Sequence, residues 1–359
     1  MIIESFKIFH YRLSLKKKIS LKSIDISERE GYLIKISDTN NNSGWGEVAP
    51  LINFSNEIVD ECLEQLKQIA SNLSTQPVPS DLVKNLTNYA PSVKFGVESA
   101  LLNLMASSKK LSLAKLSNPF CNEIIEINGL LTGSYGEIIE KTEFLNLEGY
   151  NCFKLKVGQK DFAKELELVG QIRNIIGNEK YLRVDANRSF DLKSGMEFLE
   201  KIDNYNIEYI EEPFSSVEFL KKYLSLDRTV PVALDETLRE LSFENIKQFP
   251  ELKKIAAFIL KPTLTGYTQT MTYVKLAFEN NIKPIISSSY ESSIGIYILA
   301  SMASIIDNSI PVGLDTLDKF ETDTVFTPLQ IKNGKFNIEN YNKIFDDINF
   351  ELLEEIRLG

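Results

Sequence analysis

The chain has 359 residues, 43% apolar and 25% charged, with no glycine- or proline-rich tract, which excludes a disordered segment and requires one very large core or two cooperating ones. Fifty acidic against forty basic side chains give a formal net charge of −10, which repels a polyanion; the densest basic run, Lys16 to Lys18, reads as a solvated strand end, so no nucleic acid is expected. Nowhere do eighteen apolar residues run together and the opening MIIESFKIFHYRL lacks a secretion signal, so no membrane and a cytoplasmic location are expected.

Residues 1 to about 50 alternate apolar and polar positions, as in IIESFKIFHYRL and GYLIKISD, and end in the turn-rich NNNSGWGEVAP, the pattern of a small antiparallel sheet. From Asn56 to about Ser108 the spacing becomes helical: Ile58, Cys62, Leu66 and Ile69, then Phe95, Val97, Ala100, Leu101 and Leu104. After Asn118, short apolar runs alternate with amphipathic stretches, as in successive βα units. Eight runs qualify as strands: EIIEING, NCFKLKV, YLRVDAN, IEYIEEP, VPVALDE, AAFILKP, IKPIISS and IPVGLD. The pattern predicts the α/β class, a modified (β/α)8-type, TIM-like barrel over 116–320 with an α+β capping domain over 1–115. From about Glu321 a strand-like LQIKNGKFNI and a final helix, DINFELLEEIRL, predict that 321–359 packs back on the capping domain.

The single histidine, His10, lies in the opening strand pattern and no GxSxG elbow is present, which argues against Ser-His-Asp or Cys-His catalysis. Cys62, Cys121 and Cys152 have no Cys-x-x-Cys spacing and read as reduced interior residues. Carboxylates are then the natural ligands for any metal.

Polar residues interrupt the ends of the apolar strands: Lys154 and Lys156, Asp185, Glu211, Asp235, Lys261, then Ser287 to Ser289. From Lys156 to Ser287 the successive intervals are 29, 26, 24, 26 and 26 residues, about one βα unit each. In a barrel these side chains gather on the face formed by the C-terminal strand ends. Three carboxylates there suit a hard cation such as Mg²⁺; without one, their mutual repulsion raises their pKa values. Strand periodicity turns Lys154 and Lys156 to the same side, with Lys261 arriving from a later strand. A free lysine titrates near about 10.4, so a base ready at neutral pH needs the downward pull of neighbouring ammonium groups and a cation. The same period puts Arg183, Asp185 and Asn187 on one side, so Arg183 and Asn187 are expected to border the metal and hold substrate oxygens. Each motif alone is weak, since a Lys-x-Lys is usually solvated surface; their ordered recurrence is what points to a shared site.

Taken together, GWGEVAP (44–50), FKLKVG (153–158), LRVDANRSF (182–190), IEEPF (210–214) and ALDETLRE (233–240) resemble the enolase superfamily along nearly the whole chain. ILKPTLTG (259–266), SSSYESSIG (287–295) and GLDTLD (313–318) resemble more narrowly its o-succinylbenzoate synthase family of menaquinone biosynthesis. The resemblance implies a lyase that dehydrates 2-succinyl-6-hydroxy-2,4-cyclohexadiene-1-carboxylate through an enediolate. It implies Lys156 as the base, Lys154 as its support and Lys261 as the lysine opposite. Asp185, Glu211 and Asp235 are implied as ligands of Mg²⁺, with Mn²⁺ as a substitute. Ser287, Ser289 and Gly313 are placed near the succinyl tail, through backbone N–H groups. A small-molecule carboxylate is the expected partner, and the oligomeric state stays open. The chain departs from the family at Leu51-Ile52-Asn53-Phe54-Ser55, which lacks the usual proline-glycine. An N-succinylamino acid racemase or a dipeptide epimerase remains as an alternative, since lysines on both faces can act as two bases. The Asp-x-Asp pair common in dipeptide epimerases is reduced here to Asp315. A catalytically silent carboxylate-binding protein is the rival from another class.

Overall fold

Alternation in the opening segment becomes three antiparallel strands, β1 (Ile3–Leu21), β2 (Ile24–Asp38) and β3 (Ser43–Val48). The computed structural model describes residues 2–21, 24–73, 86–158, 161–226, 230–306 and 310–358, so 74–85 of the expected helical stretch lie outside the described residues. Both faces of this sheet are buried. Phe6, Ile8, Tyr32, Ile34 and Ile36 pack under the helices Val59–Leu73 and Pro91–Ser108, whereas Phe9, Tyr11, Leu13, Leu33 and Trp45 join the core of the second half. Period-two alternation therefore separates two apolar sets rather than an apolar from a wet one.

The glycines of GWGEVAP are explained by a close backbone approach. A Cβ on Gly46 would lie 1.9 Å from the carbonyl oxygen of Gly96, and one on Gly44 2.1 Å from that of Ala100, so the helix rests directly on β3. Gly46→Ala is therefore expected to destabilise by about 3 kcal/mol, the upper part of the overpacking range, because backbone meets backbone and neither side can swing away. An unchanged denaturation midpoint would refute this contact.

The second half alternates strands and helices. The strands are β4 (Ile124–Glu126), β5 (Gly129–Leu131), β6 (Cys152–Lys156), β7 (Tyr181–Asp185), β8 (Tyr209–Glu211), β9 (Val232–Leu234), β10 (Ile255–Leu260) and β11 (Lys283–Ile286). From β5 to β11 each pairs in parallel with the next in sequence. The expected eighth strand, IPVGLD, is not a strand. Val312 bridges Ile127 and Gly313 bridges Ser287, so single hydrogen-bonded contacts close the cylinder there. Pro311 has no N–H to give a ladder, which suits this short closure. The expected first strand, EIIEING, divides: β4 turns aside to pair with β12 (Lys335–Asn337), and β5 enters the barrel.

The expected C-terminal helix is also corrected. Phe350–Leu352 form one 3-10 turn, and β13 (Leu353–Ile356) pairs antiparallel with β1, Tyr11 opposite Leu353 and Ile8 opposite Ile356. So short a segment makes a weak helix, while the open edge of β1 offers every residue a ladder partner. Phe350 adds ring contacts to Phe9 and Trp45.

Candidate active site

Parallel pairing sets Lys156 beside Asp185 and Asp185 beside Glu211, so the ends of β6, β7 and β8 present these groups in one row. Asp235 and Lys261 follow β9 and β10 directly and continue it. Lys154 Nζ lies 2.6 Å from Glu211 Oε2 and 3.0 Å from Asp185 Oδ2. Lys156 Nζ lies 3.6 Å from Asp185 Oδ2 and donates to Asn187 Oδ1 at 2.7 Å. Lys261 is in contact with Asp235. Asn187, in the left-handed region with φ 43°, donates its side-chain N–H to Asp185 Oδ1 at 2.9 Å. Left-handed backbone recurs at Arg188 and Glu212, so the strand ends bend sharply where the site forms.

The lysines differ in exposure. The Lys156 side chain is 32% exposed, against 11% for Lys154 and 15% for Lys261. Lys156 thus faces the mouth with a neutral amide as its close partner, while the other two are sunk among acids.

Burial alone would depress the Lys154 amine, yet Asp185 and Glu211 outweigh it and hold its pKa well above the ordinary lysine value. Lys261 is likewise raised, burial being overcome by Asp235 and Glu236. The nearest charges of these two amines are carboxylates, which hold them in the charged form. Burial pushes Glu211 up to about 8, assisted by Asp185 and opposed by Lys154. Asp185 and Asp235 depart from the expected rise: burial would raise them, but Lys154 and Lys156 for the first and Lys261 and Arg239 for the second hold them low.

Among the described residues no three acidic, histidine or cysteine side chains converge closely enough to form a ready-made metal cage. The donor chemistry nevertheless fits a hard divalent cation. Glu211 Oε1, Asp235 Oδ1 and both oxygens of Glu236 are buried without a hydrogen-bond partner. A buried carboxylate oxygen without a donor is costly, and cation coordination is one way to compensate it. Glu212 is different: its oxygens accept from the N–H groups of Asp235 and Thr237, from the Thr237 hydroxyl and from Arg188. That leaves Glu211, not Glu212, with an uncommitted oxygen.

Arg183 does not border the carboxylates. It is completely buried, bonded to Glu208 at 2.6 Å, the Pro311 carbonyl at 2.7 Å and Asn128 at 3.3 Å, with its guanidinium over the Tyr209 ring. Two residues place it on the same side as Asp185 but about 7 Å lower along the strand, in a deeper layer of the barrel. The backbone N–H groups expected to meet the succinyl tail are already used. Ser287 N–H donates to Leu260, Ser289 N–H to Glu291, and Gly313 N–H to Ile286. Ser287 Oγ and Ser288 Oγ both donate to the Gly313 carbonyl. Of this group only the Ser289 hydroxyl is buried without a partner.

Three neighbours of the cluster were not singled out in the sequence. Glu236 is pushed up to about 7 by burial and by Asp235, and its only signal was the adjacency of two acids. Arg239 Nη2 lies 3.6 Å from Asp235 Oδ1, one helical turn on. Phe54 sits in the loop already marked as unusual, with its ring over Lys261.

Comparison with known proteins identifies the family and the fold. A family model described as "Enolase C-terminal domain-like" matches residues 137–341, and one described as "MenC, N-terminal domain" matches residues 3–104. The chain is 30% identical over 328 residues to an o-succinylbenzoate synthase of Aliivibrio salmonicida, covering 89% of this chain and 92% of the relative. It is 28% identical over 326 residues to one of Haemophilus influenzae, with the same coverage. Among solved structures, the L-Ala-D/L-Glu epimerase from Bacillus subtilis superposes with a TM-score of 0.83 at 20% identity, covering 94% of this chain and 96% of that one. A dipeptide epimerase from Enterococcus faecalis, complexed with Mg and the dipeptide L-Leu-L-Tyr, gives 0.83 at 20% identity, with 94% and 97% covered. At that identity the two structures speak for the fold alone, whereas the relatives above span both halves of the chain. The chain belongs to the enolase superfamily and, within it, to the o-succinylbenzoate synthase family.

Proposed function

We propose that the row of strand-end side chains dehydrates 2-succinyl-6-hydroxy-2,4-cyclohexadiene-1-carboxylate to 2-succinylbenzoate, with Lys156 as the base. The observation that carries the role of Lys156 is the contrast among the three amines: Lys154 and Lys261 are buried in close contact with carboxylates, and Lys156 is the most exposed of the three, bonded to the Asn187 amide and 3.6 Å from Asp185. Its amine, as the free base, takes the proton from the ring carbon bearing the carboxylate. The bonding pair moves into that carboxylate as an enediolate, which Lys261 stabilises from the other side by its charge. When the pair returns, a ring double bond forms and the carbon–oxygen bond to the 6-hydroxyl breaks. The proton held on Lys156 leaves with that oxygen as water, and the aromatic ring drives the step. Lys154, locked between Asp185 and Glu211, keeps positive charge behind the base. Asp185, Glu211 and Asp235 are the residues that would hold Mg²⁺, or Mn²⁺ through the same oxygens. When bound, such an ion adds positive charge where the substrate carboxylate becomes doubly charged. Asn187 and the Ser289 hydroxyl are the polar groups we assign to substrate oxygens.

The two-base racemase or epimerase reading has less support. Asp315, the acid an amino substrate would need, accepts from Leu130 N–H at 2.9 Å and lies 3.6 Å from Lys141. Purified protein with Mg²⁺ should remove the diene absorbance rapidly and leave N-succinyl amino acids unracemised. Racemisation without dehydration would overturn the reading. No helix among the described residues is long and apolar enough to cross a membrane, which is compatible with the cytoplasmic location we assign.

A further inference from the structure

The loop after β3 is fastened to the barrel by an arginine at each end. At its root Arg29, buried, donates to the carbonyls of Ala49 at 2.5 Å and Pro50 at 2.6 Å, and across the seam to those of Ser289 at 3.3 Å and Tyr290 at 3.2 Å. At its tip Arg239 Nη1 donates to the Phe54 carbonyl at 3.0 Å. The Phe54 ring centroid lies 5.8 Å from Lys261 Nζ and 5.8 Å from the Arg239 guanidinium carbon, so one ring covers two cations. Beyond the ring is a cavity of about 510 Å³ whose wall includes Phe54, Glu236, Arg239, Leu264 and Tyr273. Phe54 thus borders both the cavity and the Lys261 amine, and Lys261 has no place in the cavity wall.

We propose that Arg239 is a positioning residue that holds Phe54 as a seal over Lys261, and that the seal sets the rate of the chemical step rather than the strength of substrate binding. This rests on the reading above, in which Lys261 stabilises the charge that builds on the substrate carboxylate. The attraction between an ammonium group and a developing anion grows as water is excluded from around it, so the seal is worth most in the transition state. Arg239 is suited to the task because it also lies beside Asp235, which Lys261 contacts, and so keeps ring, amine and acid in a fixed relation.

The test uses Phe54→Ala, Phe54→Trp, Arg239→Lys and the double variant Phe54→Ala/Arg239→Lys, in the full chain with saturating Mg²⁺. Lysine at 239 keeps the charge beside Asp235 but has no fork to reach the Phe54 carbonyl. Phe54→Ala and Arg239→Lys should each lower kcat by roughly 10- to 100-fold, somewhat less than deleting an oxyanion donor outright. KM should stay within about threefold, because the interaction is made mainly in the transition state. Phe54→Trp should keep most of the rate, and the double variant should be no slower than Phe54→Ala, since Arg239 acts through the ring. Thermal melting of each variant checks that it folds. If the wild type does not turn over the diene, the reaction assigned above is wrong. If it does, the seal is overturned by a variant pair whose losses multiply, by a rise in KM alone, or by lower melting temperatures with kcat intact.

Discussion

Lys156→Ala is expected to abolish dehydration while the protein melts as the wild type does. A positioned base contributes about 10²- to 10⁴-fold, and here one amine both takes the proton and returns it to the departing oxygen, so a loss toward the upper end follows. Stability should change little, since the side chain is part-exposed and Asp185 keeps Lys154 and Asn187 as partners. Lys154→Ala makes the informative contrast. It strips the close amine from two buried carboxylates, and removing one partner of a buried ion pair costs about 3–5 kcal/mol. The pair of variants separates the roles: a rate defect without a stability defect at 156, and both at 154. If Lys156→Ala retains turnover, the base lies elsewhere.

What the sequence carried, and what it did not, follows from the physics of a repeating barrel. The interval between polar strand ends was legible because each βα unit returns the chain to the same rim, so Lys156, Asp185, Glu211, Asp235 and Lys261 fall in line without any long-range inference. Depth was not legible. A period of two tells which side of a strand Arg183 faces but not the layer it occupies, and its partner Glu208 lies 25 residues on, where nothing in the string marks it as a mate. Backbone commitment was equally hidden: Gly313 offers an N–H in the sequence, but closing the cylinder consumes it against Ile286. DINFELLEEIRL has helix-favouring residues, yet the free edge of β1 decided its conformation. Phe54 and Arg239 meet across 185 residues through one carbonyl, so an unusual loop could be noticed while the contact that fastens its tip could not be read.

The second large effect concerns the acids. Glu211 is wholly buried, with one oxygen on Lys154 at 2.6 Å and the other without a donor, beside Asp185 and near Asp235. Like charges so placed cost free energy unless a cation gathers them, and a site that is strained for function is commonly stabilised when that function is removed. Glu211→Gln should therefore melt no lower than the wild type in EDTA, the amide relieving repulsion while Asp185 keeps Lys154 partnered at 3.0 Å. Adding Mg²⁺ should raise the melting temperature of the wild type, since ligand at about 100 times Kd stabilises the folded state by roughly 2.7 kcal/mol. The variant should show little of that rise at the same concentration. Its loss of metal affinity should exceed the roughly 10- to 100-fold that removing a mere supporting partner costs, and turnover should vanish with it. Equal protection of both proteins by Mg²⁺ would remove Glu211 from the ligand set, and a sharply destabilised variant in EDTA would mean that its carboxylate serves the fold rather than the cation.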